Sequence, residues 1–257
     1  MASFEMITDS IGRLTIPFED IYTSVFLIKC GDRIVLFDTA TYPSDVEDYI
    51  IPALEAAKCT PDYIFLSHSH RDHAGGLEKL MREYPDTVIV SLSKKLCEQY
   101  GSFECCAPAD CEEFVPGLKA VHIPGHAQDA MGLLHVESGI LLSGDCLQVE
   151  GIFGSGNWGS NITAPKKHIE AIQKLRGLCL SSIIASHDYH PCGWRADGVD
   201  EINRYLDGCV NSLYSIRDFI MSYLQLDDAP IAEMYNSSGE KPTVGAHVFK
   251  AVRTDFC

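Results

Sequence analysis

The stretch from Tyr63 to Leu77 reads YIFLSHSHRDHAGGL, and its order of residue types decides the fold. The apolar start predicts a buried strand, and the residues after the Gly-Gly pair resume helical periodicity. Three histidines and an aspartate lie between these two elements, namely His68, His70, Asp72 and His73. This position, after a strand and before a helix, is where α/β folds place their ligand sites.

The spacing of these residues indicates metal binding. His68 and His70 are two positions apart, so an extended backbone puts both imidazoles on one face, where they can converge on one ion. Asp72 and His73 follow where the chain turns, and they can reach a second ion beside the first. The glycines Gly75 and Gly76 predict a close approach and an unusual backbone angle at this turn.

Three more polar residues end apolar strands further along the chain. They are His126 in VHIPGHAQD, Asp145 in ILLSGDCL and His187 in IIASHD. Five histidines and two aspartates form a donor set that suits zinc or another first-row divalent metal. The other histidines are interpreted as surface or hydrogen-bonded residues: His122, His135, His168, His190 and His247.

The surrounding pattern predicts a layered α/β domain. YTSVFLIKC and RIVLFDTA, separated by Gly31-Asp32, predict an antiparallel hairpin. Helices are predicted from Ser44 as N-cap, with a bend at Pro52, and from Thr163 as N-cap to Gly177. HVFKAV predicts a last strand. Residues 1–257 are interpreted as one domain, of which 196–257 form a mainly helical C-terminal appendage.

Composition restricts the partners and the compartment. The 257 residues carry 36 acidic and 20 basic side chains, a net charge of −16, which repels phosphate backbones and argues against nucleic acid. No apolar run approaches the length of a membrane span, and the N-terminus lacks the pattern of a signal peptide, so we expect a cytoplasmic protein without membrane contact. A homodimer is expected only because it is the commonest assembly of soluble enzymes.

The cysteines are predicted to be reduced. Eleven cysteines in a chain without an export signal favour free thiols over a disulfide framework. Three of them cluster in CCAPADC, Cys105, Cys106 and Cys111, with a spacing unlike that of structural zinc sites. We therefore interpret this cluster as free thiols in a loop.

These motifs resemble the metallo-β-lactamase fold superfamily. HSHRDH matches its His-x-His-x-Asp-His signature, and PGH, SGD and SHD follow in the superfamily's order. The upstream VLFDTA resembles the superfamily's LIDTG segment, and the similarity runs from about Tyr22 to His187. The resemblance implies a four-layer αββα sandwich, two mixed sheets face to face with helices outside.

The resemblance also implies a role for each matching residue. The first metal would be held by His68, His70 and His126, the second by Asp72, His73 and His187, and Asp145 would bridge both. Asp38 would support the ligands from behind. A bridging aspartate resembles the glyoxalase II and lactonase branches, whereas the antibiotic-degrading enzymes usually have cysteine or serine there.

The expected activity is hydrolysis. Two zinc ions, or iron or manganese in their place, lower the pKa of a shared water, and the resulting hydroxide would attack the carbonyl of a small ester, lactone or thioester. Asp72 is the expected catalytic residue, orienting the hydroxide and carrying a proton to the leaving group. Candidate substrate contacts are Phe153 and Trp158 in VEGIFGSGNWGSN, together with Tyr189.

Three alternatives stay open. The chain could hydrolyse a β-lactam or a phosphodiester with the same fold. A di-iron redox protein usually has glutamate at the position of His70 and an appended flavin domain, and neither is found in this sequence. A metabolite-binding module with an intact metal site is the third alternative.

Overall fold

The computed structural model describes residues 2–100 and 103–257. Its strands in chain order are β1 (Glu5–Met6), β2 (Ile11–Phe18), β3 (Ile21–Cys30), β4 (Arg33–Phe37), β5 (Tyr63–Phe65), β6 (Val88–Val90), β7 (Cys105–Cys106), β8 (Glu113–Val115), β9 (Leu118–His122), β10 (Met131–His135), β11 (Ile140–Gly144), β12 (Ser182–Tyr189) and β13 (Gly193–Asp197). They form two mixed sheets, one of seven strands and one of six.

Helices lie between these strands and after the last strand in the sequence. They are α1 (Pro43–Asp45), α2 (Ile51–Ala57), α3 (Arg71–Ala74), α4 (Leu77–Glu83), α5 (Lys94–Gln99), α6 (Pro165–Arg176), α7 (Gly198–Ser222), α8 (Asp228–Asn236) and α9 (Ala246–Phe256), with a π-helical turn at Val46–Ile50. Within the described ranges, no helix combines the length and the apolar composition needed to cross a membrane.

The chain divides into two compact units. The first contains the described residues up to His122 together with Met131–Glu137, and the second contains Ile123–Ala130 and Ser138–Cys257. The seven-stranded sheet, in the order β1 to β7, lies within the first unit, as does the antiparallel set β8, β9 and β10. In the second unit β11 pairs with β12 in parallel and β12 with β13 antiparallel.

In the first unit, strand pairing determines where polar residues gather. The predicted hairpin is confirmed, because β3 pairs antiparallel with β4 and Gly31 turns the chain at a φ of 57°. Strands β4, β5 and β6 then run parallel, with Phe37 beside Phe65 and Phe65 beside Val90. The carboxyl ends of β4 and β5 therefore lie side by side, and the residues following each strand can meet.

The helices of the first unit cover one face of its sheet. Leu14, Val25 and Leu27 from this face pack in one buried cluster with Ile50 of the π-helical turn and Leu80 of α4. On the opposite face, the ring centroids of Phe37 and Phe65 stack 5.4 Å apart. Successive side chains of β3 point to opposite faces of the sheet, and its middle residues are buried at every position, so both faces are apolar.

The first helix begins two residues earlier than predicted. Pro43 occupies its first turn and Tyr42 is the N-cap, so the prediction of Ser44 as N-cap is wrong. The Asp45 carboxylate accepts hydrogen bonds from the backbone N–H groups of Thr41, at 3.1 Å, and Tyr42, at 2.9 Å. These bonds satisfy backbone N–H groups before the first turn of the helix. Ser44 lies inside the helix, and Asp45 accepts these bonds instead. The π-helical turn ends at Ile50, two residues before Pro52, where the bend was predicted.

One cysteine prediction is also wrong. Cys105 is not a free thiol in a loop, since it lies in β7 and forms a disulfide with Cys97 of α5. Cys105 pairs in parallel with Ile89 of β6, which adds β7 to the sheet. Cys97 lies eight residues before Cys105, so the disulfide connects α5 to β7. Cys106 and Cys111 are free cysteines, as predicted, but Cys106 lies in β7 rather than in a loop.

The strand predicted near the C-terminus is a helix in the structure, so this prediction is wrong. HVFKAV lies in α9, and its Val248, Phe249 and Val252 are buried against Leu213 and Ile216 of α7. Their spacing of one and four residues is that of one helix face, which a short apolar run does not distinguish from a strand. Helix α6 begins after Ala164, so the prediction of Thr163 as N-cap is wrong by one position.

Candidate metal centre

The signature histidines lie at the junction between β5 and α3. His68 is 1% exposed and His73 is fully buried, and their ring centroids lie 4.3 Å apart. The rings of His68 and His70 are 4.5 Å apart. Within this unit, His68 and His70 offer ligand atoms within 4.8 Å of each other, and Asp72 and His73 do the same. The spacing read from the sequence therefore yields two convergent pairs of donors.

Asp38 fixes the orientation of His73. It follows β4 in the left-handed region, with a φ of 64°, and is fully buried. One carboxylate oxygen accepts from the Ser67 backbone N–H at 2.7 Å, and the other accepts from the Ser67 hydroxyl at 2.8 Å and lies 2.7 Å from His73 Nδ1. With the Nδ1 proton donated to Asp38, the lone pair of His73 is on Nε2, which lies 3.3 Å from Asp72 Oδ2.

The environment of Asp38 shifts its titration. Burial raises the pKa of this carboxyl above its ordinary value, while the charge of His73 and the hydrogen bonds from His73 and Ser67 lower it. All three bonds place donors on the carboxylate, and they favour its charged form against the effect of burial. Ser67 also lies 3.0 Å from His68 Nδ1 through its hydroxyl, which links the two buried histidines to one aspartate.

The two glycines after the signature serve a steric need. A Cβ on Gly75 would lie 2.0 Å from the Thr41 carbonyl oxygen, and one on Gly76 would lie 2.2 Å from that of Thr39. The predicted close approach is confirmed, but the predicted unusual angle is wrong, since both residues have right-handed helical angles. The Ala40 carbonyl accepts from both glycine N–H groups, at 3.0 and 3.3 Å, so the loop after Asp38 packs directly on the turn that carries the candidate ligands.

In the second unit, Asp145 and His187 come together at neighbouring strands. Gly144 ends β11 with a φ of 54°, and the parallel pairing of β11 with β12 brings Asp145 to His187, with Oδ1 3.2 Å from Nε2. Both residues are buried, 6% and 2% exposed. His187 lies inside β12, two residues before its end, rather than at the strand terminus.

His126 is held by residues that the motif search did not select. Its Nδ1 lies 2.9 Å from the Asn161 carbonyl oxygen and 3.0 Å from the side-chain nitrogen of Gln148. The Thr163 hydroxyl donates to the His126 carbonyl at 3.3 Å. Gln148 follows Asp145 by only three residues, and this proximity was the one sequence signal for its role.

His168 backs the turn that carries His126. It is fully buried, and a Cβ on Gly125, whose φ is 148°, would lie 2.6 Å from His168 Cβ. Burial, together with the charge of His126, lowers the pKa of His168 to about 4. His168 is therefore a neutral packing residue, whereas the sequence alone grouped it with surface and hydrogen-bonded histidines.

The residues suggested for substrate contact differ in exposure. Phe153 is 52% exposed and its ring centroid lies 4.5 Å from that of His190. The Trp158 carbonyl accepts from the Ile152 N–H at 2.7 Å, which closes the glycine-rich loop. Tyr189 is 2% exposed, with its ring 6.0 Å from that of His187. Phe153 thus offers open apolar surface, and Tyr189 packs beside a candidate ligand.

Comparison with known proteins agrees with this geometry. Residues 19–96 match the family model described as the metallo-beta-lactamase superfamily. A solved metallo-beta-lactamase from Pontibacter korlensis superposes with a TM-score of 0.64 at 18% identity, over 83% of this chain and 99% of that chain. The superfamily resemblance and the fold class are confirmed. The matched residues include Asp38 and the whole HSHRDH signature.

Two curated relatives extend the comparison. A Drosophila melanogaster protein named Beta-lactamase-like protein 2 homolog is 31% identical over 150 residues, 50% of this chain and 48% of that protein. An Emericella nidulans protein named Atrochrysone carboxyl ACP thioesterase is 26% identical over 156 residues, 60% of this chain and 47% of that protein. The matched region thus spans about half the length of these two relatives.

Proposed function

We propose that this chain is a binuclear zinc-dependent hydrolase that cleaves a small ester, lactone or thioester. One observation carries the proposal. In each unit, histidine and aspartate side chains place their ligand atoms within 4.8 Å of one another, in the order that the superfamily signature requires. Imidazole and carboxylate donors suit zinc, with iron and manganese as alternatives.

The proposed ligand assignment follows the superfamily pattern residue by residue. One ion is assigned to His68, His70 and His126, the other to Asp72, His73 and His187, and Asp145 to both. The fixed orientation of His73 by Asp38 supports this assignment, because ligating histidines commonly donate their second ring N–H to a carboxylate. Buried side chains such as those of His68 and His187 are already held in place by packing, so they need little rearrangement to bind a metal ion.

Two divalent ions, when bound, would supply hydroxide near neutral pH and polarise the substrate carbonyl. The protein then needs a group that moves a proton, and we assign this role to Asp72. Its carboxylate is half-buried and lies 3.3 Å from the ring of His73, so it is oriented without being sealed from substrate. Asp72 is expected to orient the attacking group and to carry a proton to the leaving group.

Two observations bear on the bond that is cleaved. Relatives of this chain include proteins named thioesterases, which favours a thioester. Position 145 is aspartate, whereas the antibiotic-degrading enzymes usually have cysteine or serine there, which disfavours β-lactams. Phe153, Trp158 and Tyr189 are proposed substrate contacts, of which Phe153 has the open apolar surface that such a contact needs.

The test is an activity screen of zinc-loaded protein against thioesters, lactones, esters, β-lactams and phosphodiesters. We expect thioester hydrolysis that disappears in His68→Ala and falls at least a hundredfold in Asp72→Asn at unchanged metal content. Full activity of Asp72→Asn would exclude the proton-transfer role. Slow turnover of every substrate class would instead favour a metabolite-binding module.

The identity of the metal needs a separate measurement. Elemental analysis of protein purified without added zinc should give about two zinc ions per chain, as in other two-metal sites. Two iron ions in place of zinc, with a redox-active spectrum, would favour the di-iron alternative over a hydrolase.

A further inference from the structure

Gln148 occupies an unusual position behind the candidate ligand His126. Its side chain is buried, 5% exposed, and its oxygen accepts from the Asn161 backbone N–H at 2.6 Å. A backbone N–H can only donate, so this bond determines which end of the amide is oxygen. The amide nitrogen is thereby turned toward His126 Nδ1, at 3.0 Å.

The same ring nitrogen has a second neighbour with the opposite requirement. The Asn161 carbonyl oxygen lies 2.9 Å from Nδ1, and it can only accept, so this contact needs Nδ1–H. The Gln148 NH2 group can only donate, so its contact needs a lone pair on Nδ1. The first arrangement puts the lone pair on Nε2, where it can bind a metal, whereas the second puts the proton on Nε2 and prevents this binding.

His73 shows what a supporting carboxylate does instead. Asp38 lies 2.7 Å from His73 Nδ1 and can accept its proton without competition from a donor amide. A carboxylate behind a ligating histidine fixes the ligating tautomer and raises the basicity of the ring. Gln148 has the shape of such a carboxylate partner, but its facing atom has the opposite hydrogen-bonding character.

We propose that Gln148 is a positioning residue with two opposed effects, holding the His126 ring in place while weakening its bond to metal. The inference rests on the proposed function, since it takes His126 as a metal ligand. Gln148 acts through the segment of residues 159–164, which we term the strap. The metal held by His126 is consequently bound more weakly than it would be with glutamate at position 148.

The strap gives the positioning effect a mechanical basis. Its Thr163 hydroxyl donates to the His126 carbonyl, at 3.3 Å, and its Gly159 N–H donates to the Thr243 carbonyl, at 2.9 Å. The Asn161 side-chain oxygen lies 2.6 Å from His247 Nε2 of α9. Gln148 therefore connects His126 to a segment that is anchored on the C-terminal helix.

Two substitutions separate the opposed effects. Gln148→Glu keeps an oxygen for the Asn161 N–H and replaces the competing donor with an acceptor, so we expect about tenfold tighter zinc binding. Gln148→Met keeps the side-chain length but removes both contacts, so we expect about tenfold weaker binding. Both are measured on the metal-free full chain by competition with a chromogenic zinc chelator, after circular dichroism has verified folding.

Gln173→Glu is the matched control, because it makes the same change of charge at an exposed position on α6. It should leave zinc affinity unchanged. Equal or weaker binding by Gln148→Glu would overturn the competition between the amide and the carbonyl. Unchanged or tighter binding by Gln148→Met would overturn the positioning role.

His126→Ala distinguishes failure of this inference from failure of the proposed function. Loss of one zinc equivalent in His126→Ala, with no effect of either Gln148 substitution, would overturn the inference alone. Full zinc stoichiometry in His126→Ala would overturn both the inference and the assignment of His126 as a ligand.

Discussion

Two candidate ligands of this protein are supported in different ways. His73, in the first unit, is backed by the buried carboxylate of Asp38, which Ser67 also binds through its backbone and its hydroxyl. His126, in the second unit, is backed by neutral groups, the Asn161 carbonyl and the Gln148 amide. A histidine can thus be held by a charged group or by neutral groups, and we expect the two kinds of support to differ in their effects on stability and on metal binding.

The largest expected effect comes from removing the charged support. Asp38→Ala leaves His73 and Ser67 without their buried acceptor, and we expect a loss of about 3–5 kcal/mol in the free energy of unfolding. Asp38→Asn, which keeps the shape, should weaken zinc binding by about 10- to 100-fold. Urea unfolding and chelator competition measure these effects, with the exposed Asp86→Asn as control. Wild-type zinc affinity in Asp38→Asn would contradict the charged-support interpretation.

The next effect tests the packing behind His126 through pH. His168 has a pKa of about 4 in the folded chain, against an ordinary value of 6.5. The unfolded chain therefore binds a proton near pH 6.5 that the folded chain binds only near pH 4, so stability falls as pH drops through this window, by about 3 kcal/mol in full.

Substituting His168 should remove this pH dependence. His168→Gln is expected to flatten the unfolding free energy of the metal-free protein between pH 6.5 and 4. His122→Gln, at a half-buried histidine, is the matched control. An undiminished pH slope in His168→Gln would show that other groups produce it.

A smaller effect concerns the close packing that keeps Asp38 near His73. Gly75→Ala places a Cβ against the Thr41 carbonyl, and we expect destabilisation of about 1–3 kcal/mol together with weaker zinc binding. Gly177→Ala is the control, since that glycine also has a negative φ and its Cβ would meet its nearest atom only at 3.3 Å. Equal stability of the two variants in urea would contradict the steric role of Gly75.

The smallest effect concerns the neutral support. Thr163→Val removes the hydroxyl that donates to the carbonyls of Gly125 and His126, at 3.3 Å each, and should cost about 1 kcal/mol of unfolding free energy. Thr254→Val, which removes a single hydroxyl bond within α9, serves as control. Unchanged stability and zinc affinity in Thr163→Val would contradict the role of the strap in supporting His126.

Much of the first unit could be predicted from the sequence because its evidence is local. The candidate ligands of the signature fall within six residues, and their spacing along one extended segment determines which side chains share a face. Asp38 was predicted from the resemblance of VLFDTA to a known segment. The purpose of Gly75 and Gly76 was only half predicted, since glycine at a turn indicates either an unusual angle or a lack of space, and the neighbouring chain decides which.

The support of His126 was not predictable in the same way. Gln148 and Asn161 are common polar residues without a motif, and they acquire a role only because the chain returns to His126 from 22 and 35 residues away. The disulfide of Cys97 with Cys105 and the helix at Val248 were missed for a related reason. Whether a thiol forms a disulfide, or a short apolar run forms a helix, depends on which strand or helix packs against it.

The sequence by itself determined the candidate ligand types, their order and the hairpin and strand–turn–helix units that carry them, because these depend on spacing within a few residues. Only the tertiary structure decided which nitrogen of each histidine is turned toward a supporting group, and whether that group is a carboxylate or an amide. Such contacts join segments that are distant in the chain, and their hydrogen-bonding direction is set by packing rather than by residue type.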